Sequence, residues 1–112
     1  MKKTIFILLL FSVLLLDAHA PKAIELSFNA ETGALSVTVL HRVSDQDKHF
    51  IQKIEIYSGK ELLAERSYER QGTAAAQEDI FLFIDKPLVK GTPVTVTAHC
   101  NISGQKSADL IW

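Results

Sequence analysis

Apolar and polar residues alternate with a period of two through almost the whole chain after residue 20, and this pattern most constrains the fold. Ile24, Leu26 and Phe28 alternate with polar residues, and the same pattern returns at residues 35–39. Successive side chains of a strand point to opposite faces, so this period is typical of strands with one buried face. No segment keeps a helical period for long. We therefore expect an all-β protein.

Turn residues divide the pattern into seven short segments. We predict strands at residues 24–28, 35–39, 50–57, 62–68, 80–85, 94–100 and 108–112. The fifth segment is the most uniformly apolar, so we expect it to lie in the centre of its sheet. Seven short strands in about ninety residues predict an antiparallel β-sandwich of immunoglobulin-like size.

The first residues have the features of an export signal. Lys2 and Lys3 precede an apolar run over residues 5–16, and the small residues Ala18 and Ala20 follow it. The run is shorter than the roughly 20 apolar residues that span a bilayer. We therefore expect a signal peptide, a periplasmic or secreted product, and no membrane segment after cleavage.

Two cleavage sites fit this signal. Cleavage after Ala20 satisfies the small-x-small pattern but leaves Pro21 directly after the cut, where its ring removes an N–H group. Cleavage after Ala18 avoids the proline and makes His19 the new N-terminus, with an α-amine and an imidazole that together chelate metal. We expect a signal peptide over residues 1–18, cleaved after Ala18 or Ala20, and a single domain over residues 19–112.

The charge of the exported domain argues against some classes of partner. Without Lys2, Lys3 and Asp17 it carries ten basic and twelve acidic residues, so it is close to neutral. Nucleic acids and anionic membranes attract strongly basic surfaces. We therefore expect neither as a partner.

Strand order predicts which loops meet. If successive strands run alternately up and down the sandwich, the loops after the second, fourth and sixth strands share one pole with the start of the first strand. These loops are predicted at residues 42–48, 69–78 and 101–106.

Four candidate metal ligands fall at this predicted pole. His41 and His49 flank the loop after the second strand, Cys100 ends the sixth, and His19 lies just before the first. Imidazole and thiolate are common ligands of transition metals. Cys100 is the only cysteine of an exported chain, so it forms no intrachain disulfide. It is a small buried apolar residue, one half of an intermolecular disulfide, or a ligand.

Two further side chains near these ligands have simpler interpretations. His99 falls on the opposite face of the sixth strand from Cys100, so we expect it at the surface. Lys48 is typical of a solvated loop charge. Beside an open metal position, however, its ammonium would attract a small anion, which makes it a candidate catalytic residue.

The residues around these ligands resemble a known family. His41, a polar loop, His49-Phe-Ile-x-x-Ile-Glu and the later Ala-x-Cys100-Asn-x-x-Gly104 are similar to the iron-binding domain of desulfoferrodoxin and superoxide reductase. The resemblance spans residues 41–104. It implies an immunoglobulin-like sandwich that holds iron with four histidines and an axial thiolate and reduces superoxide to hydrogen peroxide. By position it implies His41 and His49 as equatorial ligands and Cys100 as the axial thiolate.

The chain also departs from that family. Ser103 stands where the family motif Cys-Asn-x-His-Gly has a histidine ligand, and the family's upstream Glu-Lys-His element is missing unless His19 replaces it. A smaller site of two or three nitrogens and one thiolate suits copper at least as well as iron.

We therefore expect an exported metal-binding domain, with iron as cofactor and copper as the alternative. If the site is active, it is an oxidoreductase that uses superoxide or another small anion and an unknown electron donor. A second hypothesis is a non-catalytic module that binds a protein partner. His49-Phe-Ile-x-x-Ile, followed by a Gly-Lys hairpin, is also similar to the immunoglobulin-like subunit of the periplasmic thiosulfate-oxidation carrier complex.

Overall fold

The computed structural model describes residues 20–112, which form seven strands in two antiparallel sheets. The strands are β1 (Ala23–Asn29), β2 (Ala34–Leu40), β3 (Ile51–Ser58), β4 (Glu61–Ser67), β5 (Ala76–Leu82), β6 (Val94–Cys100) and β7 (Gln105–Leu110). One sheet has the order β1-β2-β5 and the other β4-β3-β6-β7. The predicted seven-stranded β-sandwich is confirmed. The predicted signal peptide over residues 1–18 and His19 lie outside the described residues.

The apolar core lies between the two sheets and is built mainly by the three central strands β2, β3 and β6. Their inward side chains are almost completely buried and alternate along each strand except at an irregularity of β3 between Ile51 and Lys53. These side chains are Leu35, Val37, Val39, Ile51, Ile54, Ile56, Val94, Val96 and Ala98. Burying one such aliphatic side chain stabilises a fold by about 1.5 to 3 kcal/mol. The period of two seen in the sequence therefore corresponds directly to the core. Across residues 20–112 there is no helix with the length and apolarity that a membrane span needs.

The fifth strand differs from its prediction in position and in role. It covers Ala76–Leu82 instead of residues 80–85, and it is the edge of its sheet, not the centre. Ile80 and Leu82 point outward and are more than half exposed, whereas Phe81 is buried. The prediction of a central strand is therefore wrong.

Polar residues at the start of β5 explain the error. Gln77 and Asp79 face inward because each has a specific partner: Gln77 accepts the Gly72 N–H, and Asp79 binds Arg66 of β4 and Tyr68. Apolar pattern alone does not identify polar residues that pair inside a sandwich.

The last strand also begins earlier than predicted. It covers Gln105–Leu110, not residues 108–112, because the polar residues 105–107 pair with the end of β6. Trp112 lies beyond the strand. It packs against Phe28 of β1 with ring centroids 4.7 Å apart, and so closes one side of the core.

Backbone hydrogen bonds join the segments that follow β2 and β4. His41 N donates to Ala75 O at 2.9 Å, and Val43 N donates to Ala74 O at 2.8 Å. Residues 41–50 and 68–75 thus form one layer at the end of the sandwich, and the turn after β6 meets the same layer. Backbone hydrogen bonds therefore fix the relative positions of these segments at this pole.

At the open edges of the sandwich, a partly buried ion pair connects β4 to β5. Arg66 Nη1 lies 2.6 Å from Asp79 Oδ1, and the Tyr68 hydroxyl donates to Asp79 Oδ2 at 2.5 Å. Burial alone raises the pKa of Asp79, but the hydrogen bonds from Tyr68 and Arg66 outweigh it and hold that pKa below its usual value. The stabilisation is therefore present above the usual pKa of aspartate and lost as the pH falls through the lower folded-state pKa.

We predict that Asp79→Asn lowers the free energy of unfolding at neutral pH by about 1 to 3 kcal/mol, since it removes hydrogen bonds to a charged group. In acid the difference between variant and wild type should shrink, because protonation of Asp79 removes the same charge. Chemical unfolding at the two pH values measures both effects. Asp85→Asn, at an exposed carboxylate, is the matched control. Equal destabilisation by Asp79→Asn at both pH values would contradict the role of the charge.

Candidate metal centre

His41, His49 and Cys100 come together at the pole formed by the segments after β2, β4 and β6. One ligand atom from each residue lies within 4.8 Å of the other two. His41 directly follows β2, His49 lies two residues before β3, and Cys100 is the last residue of β6. The two imidazole rings are perpendicular, with centroids 4.6 Å apart. His41 and Cys100 are buried and His49 is partly buried.

A fully buried glutamine supports the first histidine. Gln71 Oε1 is 2.8 Å from His41 Nδ1 and accepts the Ile51 N–H at 3.2 Å. Its Nε2 donates to His41 O at 2.6 Å and to Thr73 O at 2.9 Å. The exposed fraction of Gln71 is 0 %. One side chain therefore ties the end of β2, the start of β3 and the segment after β4 to each other.

Asn101 fixes the second histidine relative to the cysteine. Its Oδ1 accepts the Phe50 N–H at 2.8 Å, and its Nδ2 donates to Lys48 O at 3.0 Å. Asn101 N also donates to Phe50 O at 3.0 Å. The residues on both sides of His49 are thus bound to the residue that follows Cys100.

The turn after Cys100 is tight and contacts the start of the described chain. Cys100 N donates to Gly104 O at 3.1 Å, and Gly104 has a φ of 86°, which favours glycine. A Cβ at Gly104 would lie 2.8 Å from the Ala20 Cβ. Residue 20 therefore packs on this turn, and a side chain at 104 would displace it.

An open groove of about 690 Å³ borders His41 beside this turn and is also lined by Ala20. Its charged lining residues are Lys22, Arg42 and Lys106, and none of its lining residues is acidic. Within residues 20–112 these three cations form no ion pair. The groove is thus a locally cationic surface on a chain whose formal net charge is -1.

Two other predicted residues lie around the centre without joining it. His99 points to the outer face, as expected, and its Nε2 donates to Glu55 Oε1 at 2.5 Å. This hydrogen bond is the main cause that lowers the pKa of Glu55, against partial burial, which raises it. The Lys48 side chain is exposed, and its backbone carbonyl accepts from Asn101. His19 lies outside the described residues.

The donor set fits a transition-metal ion. Donor atoms at 2.0 to 2.3 Å from one ion are about 3.3 to 3.8 Å apart at tetrahedral angles. The three donor atoms lie within 4.8 Å of one another, so a pair near that limit would move closer by about 1 Å when an ion binds. Two imidazoles and one thiol match iron and copper, whereas magnesium and calcium prefer oxygen ligands.

The supporting residues Gln71 and Asn101 were not predicted from the sequence. Gln71 lies in a polar connection without periodicity, where a glutamine is ordinarily solvated. The Cys100-Asn101 pair belongs to the predicted motif, but its local sequence says nothing of the contact with Phe50, which is 51 positions away.

Solved superoxide reductases have the same fold. The chain is similar to the one-iron superoxide reductase from Giardia intestinalis at a TM-score of 0.57 and 16 % identity, over 84 % of this chain and 97 % of that one. For the neelaredoxin from Archaeoglobus fulgidus in the reduced form, the TM-score is 0.50 and the identity 20 %, over 85 % and 91 % of the two chains. For the neelaredoxin from Ignicoccus hospitalis, the TM-score is 0.51 and the identity 17 %, over 79 % of this chain and 75 % of that one.

These likenesses confirm the resemblance predicted from the sequence at the level of fold. No protein-family model matches the chain, and no curated protein has a significantly similar sequence. At identities of 20 % or less, shared architecture does not carry activity with it, because function depends on individual site residues.

We predict that Asn101→Ala loosens the segment that carries His49. The Phe50 N–H loses its acceptor, so its amide hydrogen should exchange faster, and the free energy of unfolding should fall by about 1 to 3 kcal/mol. Hydrogen exchange measured residue by residue separates the local effect from the global one.

Asn29→Ala is the matched control, because the Asn29 side chain also makes two hydrogen bonds to the backbone, in this case accepting two N–H groups in the turn between β1 and β2. In Asn29→Ala, the amide hydrogen of Phe50 should exchange only as fast as the global stability of that variant predicts. Unchanged Phe50 exchange in Asn101→Ala would show that Asn101 does not hold this segment.

Proposed function

We propose that this protein is an exported metal-binding protein of the superoxide reductase type, with an altered ligand set and low or no superoxide reductase activity. The observation that carries the proposal is the convergence of His41, His49 and Cys100, whose ligand atoms lie within 4.8 Å of one another. The predicted signal peptide supports export.

In this proposal His41 and His49 hold one iron or copper ion with nitrogen, and Cys100 holds it with a thiolate. When bound, iron would supply the one electron that, with two protons, converts superoxide into hydrogen peroxide, and an external one-electron donor would restore it. Asn101 and Gln71 keep the ligands in place. Burial of Cys100 limits the access of water to the sulfur.

His19 is the proposed additional ligand, provided that cleavage follows Ala18. The support comes from Ala20, which packs on Gly104 and lines the same groove as His41. An N-terminal histidine offers an α-amine and an imidazole, so the donor count would rise from three to four or five. Cleavage after Ala20 would leave only His41, His49 and Cys100.

A small anion is the proposed substrate class. Lys22, Arg42 and Lys106 line the groove beside His41, and positive charge raises the local concentration of anions. Lys48 is adjacent in sequence to His49 and is the proposed second source of attraction. Because these side chains are exposed, their effect should weaken with added salt.

Ser103 is the reason to expect little reductase activity. A serine hydroxyl stays protonated near neutral pH and is a weak ligand for iron, whereas the family pattern has an imidazole at this place. Fewer nitrogen ligands change both the affinity for iron and its reduction potential.

An interaction module is the second candidate function, and one observation favours it. Ile80, Leu82 and Ile84 are exposed by 56 %, 63 % and 65 % on the edge strand β5 and just after it. Exposed apolar side chains in a row are typical of protein–protein contact. A purified protein that contains no metal and still binds a protein partner would favour this function.

We predict that the protein from its native exported fraction begins at His19 and contains one iron or copper ion per chain. Intact mass gives the N-terminus, and elemental analysis gives the metal. A chain that begins at Pro21 would remove His19 from the site and should bind metal more weakly.

Three variants test the assignment of the ligands. Cys100→Ser should abolish thiolate-to-metal absorption, and His49→Ala should reduce the metal content, since each removes a ligand. His99→Ala is the control, because His99 binds Glu55 on the outer face. If Cys100→Ser and His49→Ala both keep the wild-type metal content, the site is elsewhere and the interaction module becomes the better proposal.

We predict that Ser103→His strengthens iron binding, because it returns an imidazole to the turn between Cys100 and Gly104. Competition with a chelator measures the gain in affinity. Ser107→His is the control and should leave the affinity for iron unchanged. Ser107 lies on β7, where its hydroxyl bonds the Thr97 hydroxyl. Equal affinities for Ser103→His and wild type would refute the idea that the missing histidine limits the site.

A further inference from the structure

The hydrogen bonds of Gln71 leave only one orientation for its amide. The Nε2 side faces two backbone carbonyl oxygens, His41 O and Thr73 O, which only accept hydrogen bonds. The Oε1 side faces the Ile51 N–H, which only donates. Exchanging oxygen and nitrogen would place donor against donor and acceptor against acceptor in a fully buried position, so the exchanged orientation is strongly disfavoured.

This fixed orientation determines the tautomer of His41. Gln71 Oε1 is an acceptor, and His41 Nδ1 lies 2.8 Å from it, so Nδ1 must carry the hydrogen. In a neutral imidazole the other nitrogen, Nε2, then carries the lone pair. We infer that Gln71 is a positioning residue that selects Nε2 as the metal-ligating atom of His41. The inference rests on the proposed metal site for its functional meaning, but the tautomer itself is a property of the metal-free protein.

The hydrogen-bond partner of His41 Nδ1 is a neutral amide and not a carboxylate. Metal-binding histidines commonly donate their second ring N–H to a carboxylate or a carbonyl, and such partners typically affect metal affinity about 10- to 100-fold. A carboxylate would draw the Nδ1 proton and add a buried negative charge. The Gln71 carbonyl oxygen orients the ring without that charge.

Gln71 also couples the ligand to the fold. The same amide holds the backbone of His41 and of Thr73, and Gln71 N donates to Gln46 O at 3.1 Å. The segment between β4 and β5, which contributes no ligand, therefore controls the orientation of a ligand that follows β2. A purely structural role would tie these segments together without any effect on the ring nitrogens of His41, so the two roles are separable.

The test is the ¹⁵N NMR signature of the His41 ring in the metal-free protein, at mildly alkaline pH where imidazole is neutral. Wild type should show a protonated Nδ1 and an unprotonated Nε2. Gln71→Met, which keeps the length of the side chain without its hydrogen bonds, should shift the ring toward a mixture of tautomers. It should also weaken metal binding by about 10- to 100-fold.

Gln77→Met is the matched control. Gln77 is also buried and lies at the start of β5, but its amide bonds Gly72 and Glu78 instead of a histidine. It should alter stability and leave the His41 signature unchanged.

Each outcome supports or overturns the inference. A wild-type ring protonated at Nε2 overturns it, and so does a folded Gln71→Met that keeps the wild-type tautomer. If Gln71→Met does not fold, the wild-type spectrum alone decides whether Nδ1 carries the hydrogen. If the protein binds no metal, the proposed function fails, whereas the tautomer result still shows whether Gln71 orients His41.

Discussion

Polar groups removed from water must be hydrogen-bonded, and at one pole of this sandwich that constraint fixes the position of His41. Gln71 is completely buried and His41 nearly so, in a domain whose other buried side chains are almost all apolar. Their mutual hydrogen bonds, with those to Ile51 and Thr73, join segments that are far apart in sequence. Removing one partner leaves the others buried and unsatisfied. The position of the candidate metal centre and the stability of its surroundings therefore depend on the same contacts.

The chain shares its architecture with proteins of very different sequence. Its sandwich resembles those of superoxide reductases although at most 20 % of residues are identical. Low sequence identity is compatible with a shared fold, because a β-sandwich needs alternation, turns and the right core volume more than particular side chains. A metal centre needs particular donors in particular places. A serine at position 103, where the sequence pattern of superoxide reductases has a histidine, is therefore compatible with the same fold.

At the edges of the sandwich, as at the site, polar side chains face inward only where they have hydrogen-bond partners. Asp79 faces inward on β5 because Arg66 and Tyr68 satisfy it, while Ile80 and Leu82 face outward. Arg66 also donates to Ile80 O, so part of the exposed strand edge is occupied by a side chain. This arrangement limits edge-to-edge pairing with other chains.

The sequence by itself determined the sandwich, the approximate positions of the strongly alternating strands, and the convergence of His41, His49 and Cys100 at one pole. These follow from local periodicity and from the up-and-down order of strands, and both can be read from the order of residues alone. Only the tertiary structure decided the edge position of β5 and the roles of Gln71 and Asn101. Those roles depend on hydrogen bonds between residues 20 to 51 positions apart, which no local pattern encodes, because a buried amide is identified by its partners and not by its neighbours in sequence.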